Sequence, residues 1–291
     1  MRRSRRSAIL VTALLLVPLL LLALLVMNGD RLFYFPSART FANPAEFGLA
    51  PPEEPPLAAP GGPALHAFWF DAASGAPARG TVVYCHGNSH NMTHHLRFVA
   101  WLPKRGYNLL AFDYRGYGKS EGDVTREGTI ADTLAALDFA LARDPERTVV
   151  FGHSLGGAVA IVATAERPAV RAIAVECAFP SYRKVARSAL PFLAPLIPLG
   201  VSKAFDPEDA LERLPPRPLL VIHGTDDRTV PFRLGRELFD LASEPKRFHE
   251  EKGGDHFSPW VREGAAFETM LTEFFEEAIG GGAESAGTGG R

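Results

Sequence analysis

The apolar and polar positions of this chain fall into stretches with different periods. Residues 8–27 form an apolar run interrupted only by Thr12 and Pro18, with no polar stripe to mark a water-facing side. Residues 51–63 are rich in proline, which excludes helix there. Residues 65–70, Leu-His-Ala-Phe-Trp-Phe, then read as a strand, an antiparallel hairpin partner of the segment before it. From Thr81 the pattern becomes regular. Apolar runs at 81–85, 107–112, 148–150, 172–175 and 218–222, and a further strand at 246–250, alternate with helical periods at 93–104, 127–142, 155–165, 231–241 and 263–279. In the second of these helices Ile130, Leu134, Leu137 and Leu141 share one face. Alternating strands and helices predict right-handed βαβ units, hence an α/β fold with a mostly parallel central sheet covered by helices on both faces.

The stretch 181–216 breaks this rhythm. Its section 190–199 is apolar but interrupted by Pro191, Pro195 and Pro198, so neither a strand nor a long helix fits. As an insertion following the sixth strand it would lie over the strand ends, where ligands bind in such sheets. It reads as a short lid lining an apolar pocket, or equally as a surface helical hairpin packed on its own domain. The tail 280–291, rich in Gly, Ala and Ser, is expected to be disordered.

Length and charge narrow the function classes. A chain of 291 residues that is 46% hydrophobic can bury one large core as a single α/β domain. A net charge of −2 offers no basic face for nucleic acid. Two cysteines, Cys85 and Cys177, cannot make a disulfide framework or a zinc site by themselves, and each ends an apolar run, so both read as small buried hydrophobes.

The N-terminal run has the length of a membrane span. Twenty residues of helix at about 1.5 Å each cross one hydrocarbon thickness. The run exceeds the apolar core of a cleavable signal, and Asn28-Gly29-Asp30-Arg31 ends it without a small-x-small cleavage site. Residues 8–27 are therefore expected to be a transmembrane signal anchor, with 28–40 as a juxtamembrane segment containing the interfacial aromatics of Phe33-Tyr34-Phe35-Pro36. Arg2, Arg3, Arg5 and Arg6, in the basic segment 1–7, predict a cytoplasmic N-terminus and a domain on the extracytoplasmic side. Secretion after signal cleavage is the alternative.

The chemistry centres on Gly152-His153-Ser154-Leu155-Gly156. A β-branched run precedes this G-x-S-x-G sequence and a small-residue helix follows it, the context of a nucleophile elbow. The sharp turn exposes the Ser154 hydroxyl, and the N–H of Leu155 at the helix start is placed to meet an oxyanion. A serine hydroxyl needs a base, and the base needs a group that fixes its tautomer. With partners expected in the order Ser, acid, His, only His249 and His256 follow late enough. His249 falls within a strand, whereas His256 follows Gly253-Gly254-Asp255 in a loop, so His256 is the expected base. The acid belongs in the turn 223–231, which offers both Asp226 and Asp227, and spacing does not separate them. The second oxyanion donor is expected from the backbone N–H of Asn88, in His86-Gly87-Asn88 directly after a strand. His90, His94 and His95 lack an acidic or Cys partner and read as a solvated helix start rather than a metal site, while packing suffices for His153 and His223.

Taken in order, His86-Gly87-Asn88, the loop from Asp113 to Ser120, the Ser154 elbow and the turn from His223 to Pro231 resemble the α/β-hydrolase superfamily over roughly residues 41–279. The chain is most similar to its membrane-associated α/β-hydrolase-domain proteins, a group that includes depalmitoylases and lysophospholipid lipases, and also resembles serine aminopeptidases and monoglyceride lipases. The resemblance implies Asp227 as the catalytic acid, with Asp226 a neighbour, and a structural role for Asp113 and Arg115. Gly-Gly-Asp-His departs from the Gly-x-Gly-His common in relatives. The implied activity is a membrane-tethered serine hydrolase that cleaves an ester or thioester of a hydrophobic small molecule, lipid or acylated substrate, without cofactor or metal. An aminopeptidase, amidase or acyltransferase on the same fold is the rival within enzymes. An inactive hydrolase fold serving as a binding protein is the rival outside them.

Overall fold

The computed structural model describes residues 28–73, 77–257 and 262–287, with positions 17, 20, 23 and 26 of the N-terminal run. The basic segment 1–7 and most of the expected span 8–27 lie outside the described residues, as do positions 288–291 of the tail. Among the described residues no helix is long and apolar enough to cross a membrane.

Seven strands make the central sheet: β1 (Ala67–Phe70), β2 (Gly80–Cys85), β3 (Tyr107–Phe112), β4 (Thr148–His153), β5 (Ile173–Glu176), β6 (Leu219–Gly224) and β7 (Lys246–Glu251). Their spatial order is β7-β6-β5-β4-β2-β3-β1, and all neighbours run parallel except β1, which pairs antiparallel with β3. Strand alternation explains why the runs are apolar throughout. Val82, Tyr84, Leu109, Val149 and Phe151 point to one face, and Val83, Cys85, Leu110 and Val150 to the other, so each strand feeds two cores. Helices α1 (Met92–His95), α2 (Arg126–Arg143), α3 (Leu155–Ala165), α4 (Tyr182–Ala189), α5 (Ile197–Gly200), α6 (Pro207–Leu211), α7 (Phe232–Leu241) and α8 (Ala265–Gly287) connect or cover them. The first core packs residues of α2 and α3, and the second packs Phe267, Leu271 and Phe275 of α8.

Several elements differ from expectation. The single helix expected at 93–104 is a turn of α-helix followed by two 3-10 turns, Leu96–Phe98 and Pro103–Arg105. Pro103 has no N–H to donate and its ring obstructs the preceding turn, so a continuous helix cannot run through it. The hairpin partner expected for the first strand pairs elsewhere: Leu57–Ala58 forms its own two-residue ladder with Ala64–Leu65, and only Glu53 bridges Trp69. The insertion after Ser181 consequently follows the fifth strand of the sheet, not the sixth. Helix α8 runs on to Gly287, through most of the stretch expected to be disordered.

The loop after β3 is held as a fixed turn. Asp113 Oδ1 accepts the Met92 N–H at 2.6 Å, and Arg115 binds Asp132 through Nη2 at 2.7 Å. This ties the loop to α1 and α2 beside the carboxyl ends of β2 and β4.

Candidate active site

Ser154 directly follows β4, in the middle of the sheet, and caps α3 with φ 54° and ψ −118°, a region that residues other than Gly rarely enter. Two glycines make this turn possible. A Cβ on Gly152 would lie 2.5 Å from the Gly156 carbonyl oxygen, and one on Gly156 would lie 2.0 Å from that of Cys85. The Ser154 N–H is tied to the Glu176 carbonyl at 2.7 Å, which fixes the strained residue to the neighbouring strand.

The loops after β6 and β7 deliver the other two side chains. His256 Nε2 lies 3.0 Å from Ser154 Oγ, and His256 Nδ1 lies 2.7 Å from Asp227 Oδ2. With Nδ1–H donated to Asp227, Nε2 is the acceptor for the serine hydroxyl. All three side chains are buried. Asp227 Oδ1 accepts the N–H groups of Thr229 at 2.8 Å and Val230 at 2.9 Å. Asp226 is exposed, its own N–H donated to Gly254 O at 2.8 Å, and it makes no contact with His256. Tertiary placement thus distinguishes two carboxylates that spacing could not. The Gly253-Gly254 loop is pinned to this turn, since Gly253 N–H donates to Thr225 Oγ1 at 2.8 Å.

The electrostatics follow from burial and partners. Burial alone would raise the Asp227 carboxyl, but hydrogen bonds from His223 and His256 outweigh it and hold the group well below the usual carboxylate range. Burial pushes the His256 ring below its ordinary 6.5, against the opposing pull of Asp227, so the ring is neutral and can accept a proton near neutral pH.

Beside the elbow, Gly87 packs so closely that a Cβ would lie 3.0 Å from the His153 ring. The carbonyl of Asn88 accepts Phe35 N–H at 2.9 Å and Tyr117 Oη–H at 2.7 Å, which orients that residue. The first N–H groups of α3, that of Leu155 among them, have no acceptor within the helix.

Two histidines assigned to packing do more. His223 Nε2 lies 2.8 Å from Val230 O and 3.3 Å from Asp227 Oδ2, so it braces the acid turn. His153 Nδ1 lies 3.0 Å from Glu176 Oε2, both buried, and its ring stands 5.1 Å from that of His256. Glu176 went unnoticed in the sequence; the signal was a carboxylate closing the apolar strand Ile173–Glu176. His95 is fully buried against Ser89 O at 3.0 Å, not part of a solvated helix start, while His90 and His94 stack beneath Phe41. His249 stands on edge strand β7 and pairs with Glu263. Cys85 and Cys177 are buried, as expected. Cys177, His223 and Asp227 bring ligand atoms within 4.8 Å of one another, but burial keeps the thiol protonated and Asp227 is committed to His256. A cavity of about 400 Å³ lies elsewhere, against Leu49, His66, Phe68 and Asp113, and includes none of Ser154, Asp227 and His256.

Known proteins are similar to this chain in sequence or in fold. The family model for serine aminopeptidase, S33, matches residues 76–209. The uncharacterized protein YfhR of Escherichia coli O157:H7 is 34% identical over 220 residues, covering 72% of this chain and 76% of YfhR. The lysophosphatidylserine lipase ABHD12 of Gallus gallus is 31% identical over 206 residues, covering 64% of this chain and 53% of ABHD12. The Pyrococcus furiosus esterase Pf2001 superposes with a TM-score of 0.70 at 20% identity, covering 84% of this chain and 98% of that one, a likeness of fold. The chain belongs to the α/β-hydrolase superfamily, among its serine hydrolases.

Proposed function

We propose that the protein is a membrane-tethered serine hydrolase that cleaves carboxylic esters or thioesters through an acyl-enzyme, with Ser154, Asp227 and His256 as its triad. The observation that carries this reading is the hydrogen-bonded row from Ser154 Oγ through His256 to Asp227, at 3.0 and 2.7 Å. Ser154 Oγ attacks the carbonyl carbon while His256 Nε2 takes its proton. The N–H groups of Leu155 and Asn88 hold the oxyanion, and losing one such donor costs on the order of 10²–10³ in turnover. Collapse expels the alcohol or thiol, which receives the proton from His256, and water then releases the acyl group by the same steps in reverse. Asp227 keeps the imidazole oriented and stabilises its charged form. These steps require no cofactor.

The substrate reading rests on apolar character. The proline-broken insertion suits a lid over a hydrophobic acyl chain, with Leu190, Phe192, Leu193 and Leu199 left exposed on its outside, and the relative ABHD12 is named for a lipid substrate. The apolar run 8–27 and the arginines before it support a single-pass tether with the catalytic domain on the extracytoplasmic side.

A fluorophosphonate probe tests the chemistry: wild type should label and Ser154→Ala should not, and equal labelling of both would remove the enzyme reading. The family model's own description favours one second reading, an aminopeptidase. Esters of rising chain length beside aminoacyl anilides decide between them, faster anilide turnover replacing the esterase reading. C-terminal reporter fusions test the orientation.

A further inference from the structure

The segment that follows the apolar run is built into both the insertion and the loop beside the nucleophile. Gly29 lies against α5: a Cβ on it would stand 2.2 Å from the Gly200 carbonyl oxygen. Asp30 Oδ1 accepts the Ser202 N–H at 3.0 Å and pairs with buried Arg126. Arg126 in turn donates to Ser202 O at 2.9 Å and Ala204 O at 3.0 Å, and lies 3.7 Å over the Tyr182 ring of α4. A few residues on, Phe35–Pro36 pairs in parallel with Ser89–His90, directly after Asn88.

Chain geometry limits how far these contacts can stand from the end of the run. Gly29 is two residues past Met27, so Gly200 lies within roughly 7–10 Å of that end. The headgroup layer on each side of a bilayer is about 5–8 Å thick. Residues 29–33 are wound as 3-10 helix, at about 2 Å per residue, which brings Phe35 and the loop at Asn88 within roughly 20–25 Å of the same point. The insertion carries large apolar side chains on its outside: Phe192 is 97% exposed, and Leu190, Leu193 and Leu199 are exposed as well. Leu199 adjoins the Gly200 contact, and Leu32 and Phe35 of the connecting segment are also exposed. Apolar side chains gathered at the exit of an apolar run fit an interfacial layer better than water.

We propose that the insertion is the bilayer-facing surface of this protein, with Leu190, Phe192, Leu193 and Leu199 seated in the interface of the membrane that holds residues 8–27, so that substrate reaches Ser154 from the lipid phase. The proposal rests on the tether reading and adds that the site's mouth, and not only the N-terminus, contacts lipid. A water-soluble ester would need no such contact, whereas a lipid ester would pass from bilayer to nucleophile without crossing water.

The test uses the full chain in mixed phosphatidylcholine–phosphatidylglycerol vesicles. Cys85 and Cys177 are buried, so an introduced surface cysteine is the accessible thiol for an environment-sensitive fluorophore. Three variants are labelled: Phe192→Cys on the insertion, Leu20→Cys in the apolar run, and Glu146→Cys at the opposite, amino end of β4. Nitroxide-labelled lipid should quench the probes at 20 and 192, with blue-shifted emission, and leave 146 unchanged. Quenching at 20 with a probe at 192 as wet as that at 146 overturns the proposal and leaves the tether intact. An unquenched probe at 20 removes the tether reading, and this proposal with it. Phe192→Asp gives the functional arm: turnover of p-nitrophenyl acetate unchanged, and turnover of a long-chain ester embedded in the vesicle down at least tenfold. Equal loss on both substrates would assign Phe192 to folding and overturn the proposal.

Discussion

Gly235 of α7 stands directly against the ring of His223: a Cβ at that position would lie 2.1 Å from Nδ1. The same ring holds Val230 O through Nε2, and Val230 N–H in turn binds Asp227 Oδ1. The helix surface therefore sets where the acid turn sits. Gly235→Ala should push the ring and cost about 1–3 kcal/mol of stability, as overpacked cores do. Through the displaced turn it should also lower kcat by roughly tenfold to a hundredfold, with KM little changed. Thermal unfolding and steady-state kinetics of the one variant check both.

Asp226 and Asp227 are adjacent in sequence and differ in everything else. Asp227→Asn should cost about 10⁴ in kcat by presenting His256 with a donor where it needs an acceptor. Asp226→Asn should stay within about twofold, because an exposed carboxylate away from His256 touches nothing in the reaction. Ester hydrolysis by the two variants, measured side by side, decides the assignment.

Base catalysis needs His256 neutral, and burial lowers its pKa from 6.5. The acid limb of kcat/KM should therefore fall below pH 6.5. The same shift acts on stability. In the unfolded chain His256 takes up a proton near 6.5, and in the fold only at lower pH, so stability declines as pH falls through that window. His94, lowered to about 4 by burial and Arg97, and His95, lowered well below its ordinary value by burial first and by His86, act in the same direction. Melting temperature should drop steadily from pH 6.5 towards 4, and a flat profile there would contradict the burial of these rings.

Both thiols should be inert in the native protein. Burial pushes Cys85 up to about 12, and Cys177 well above its ordinary value, so neither supplies thiolate near neutral pH. An aromatic disulfide reagent should titrate no thiol before denaturation and two after it.

What the sequence made legible is what it encodes locally. β4, the Ser154 turn and α3 are contiguous, and a β-branched run, two glycines and small residues specify them without help from the rest of the chain. His256 was legible because a glycine loop at a strand end separates it from His249 within a strand. The choice of Asp227 came from resemblance alone, since burial of one aspartate and exposure of its neighbour arise from how the turn packs. Glu176 was missed because its contact with His153, 23 residues away, depends on two strands lying side by side, and the bracing by His223 because the packing of the turn, not its spacing, brings Val230 and Asp227 to the ring. The pairing of Phe35–Pro36 with Ser89–His90 spans two residues and carries no period at all.

That two-residue pairing has a practical consequence. Cutting the chain near residue 40 is the obvious way to obtain a soluble sample, and it would remove the donor that Phe35 offers Asn88. Tyr117 would then be left to hold the Asn88 carbonyl without Phe35. A trimmed protein that folds well but hydrolyses esters poorly would not argue against the assignment of Ser154. It would mark where the domain really starts, at Phe35, six residues earlier than a boundary drawn at 41.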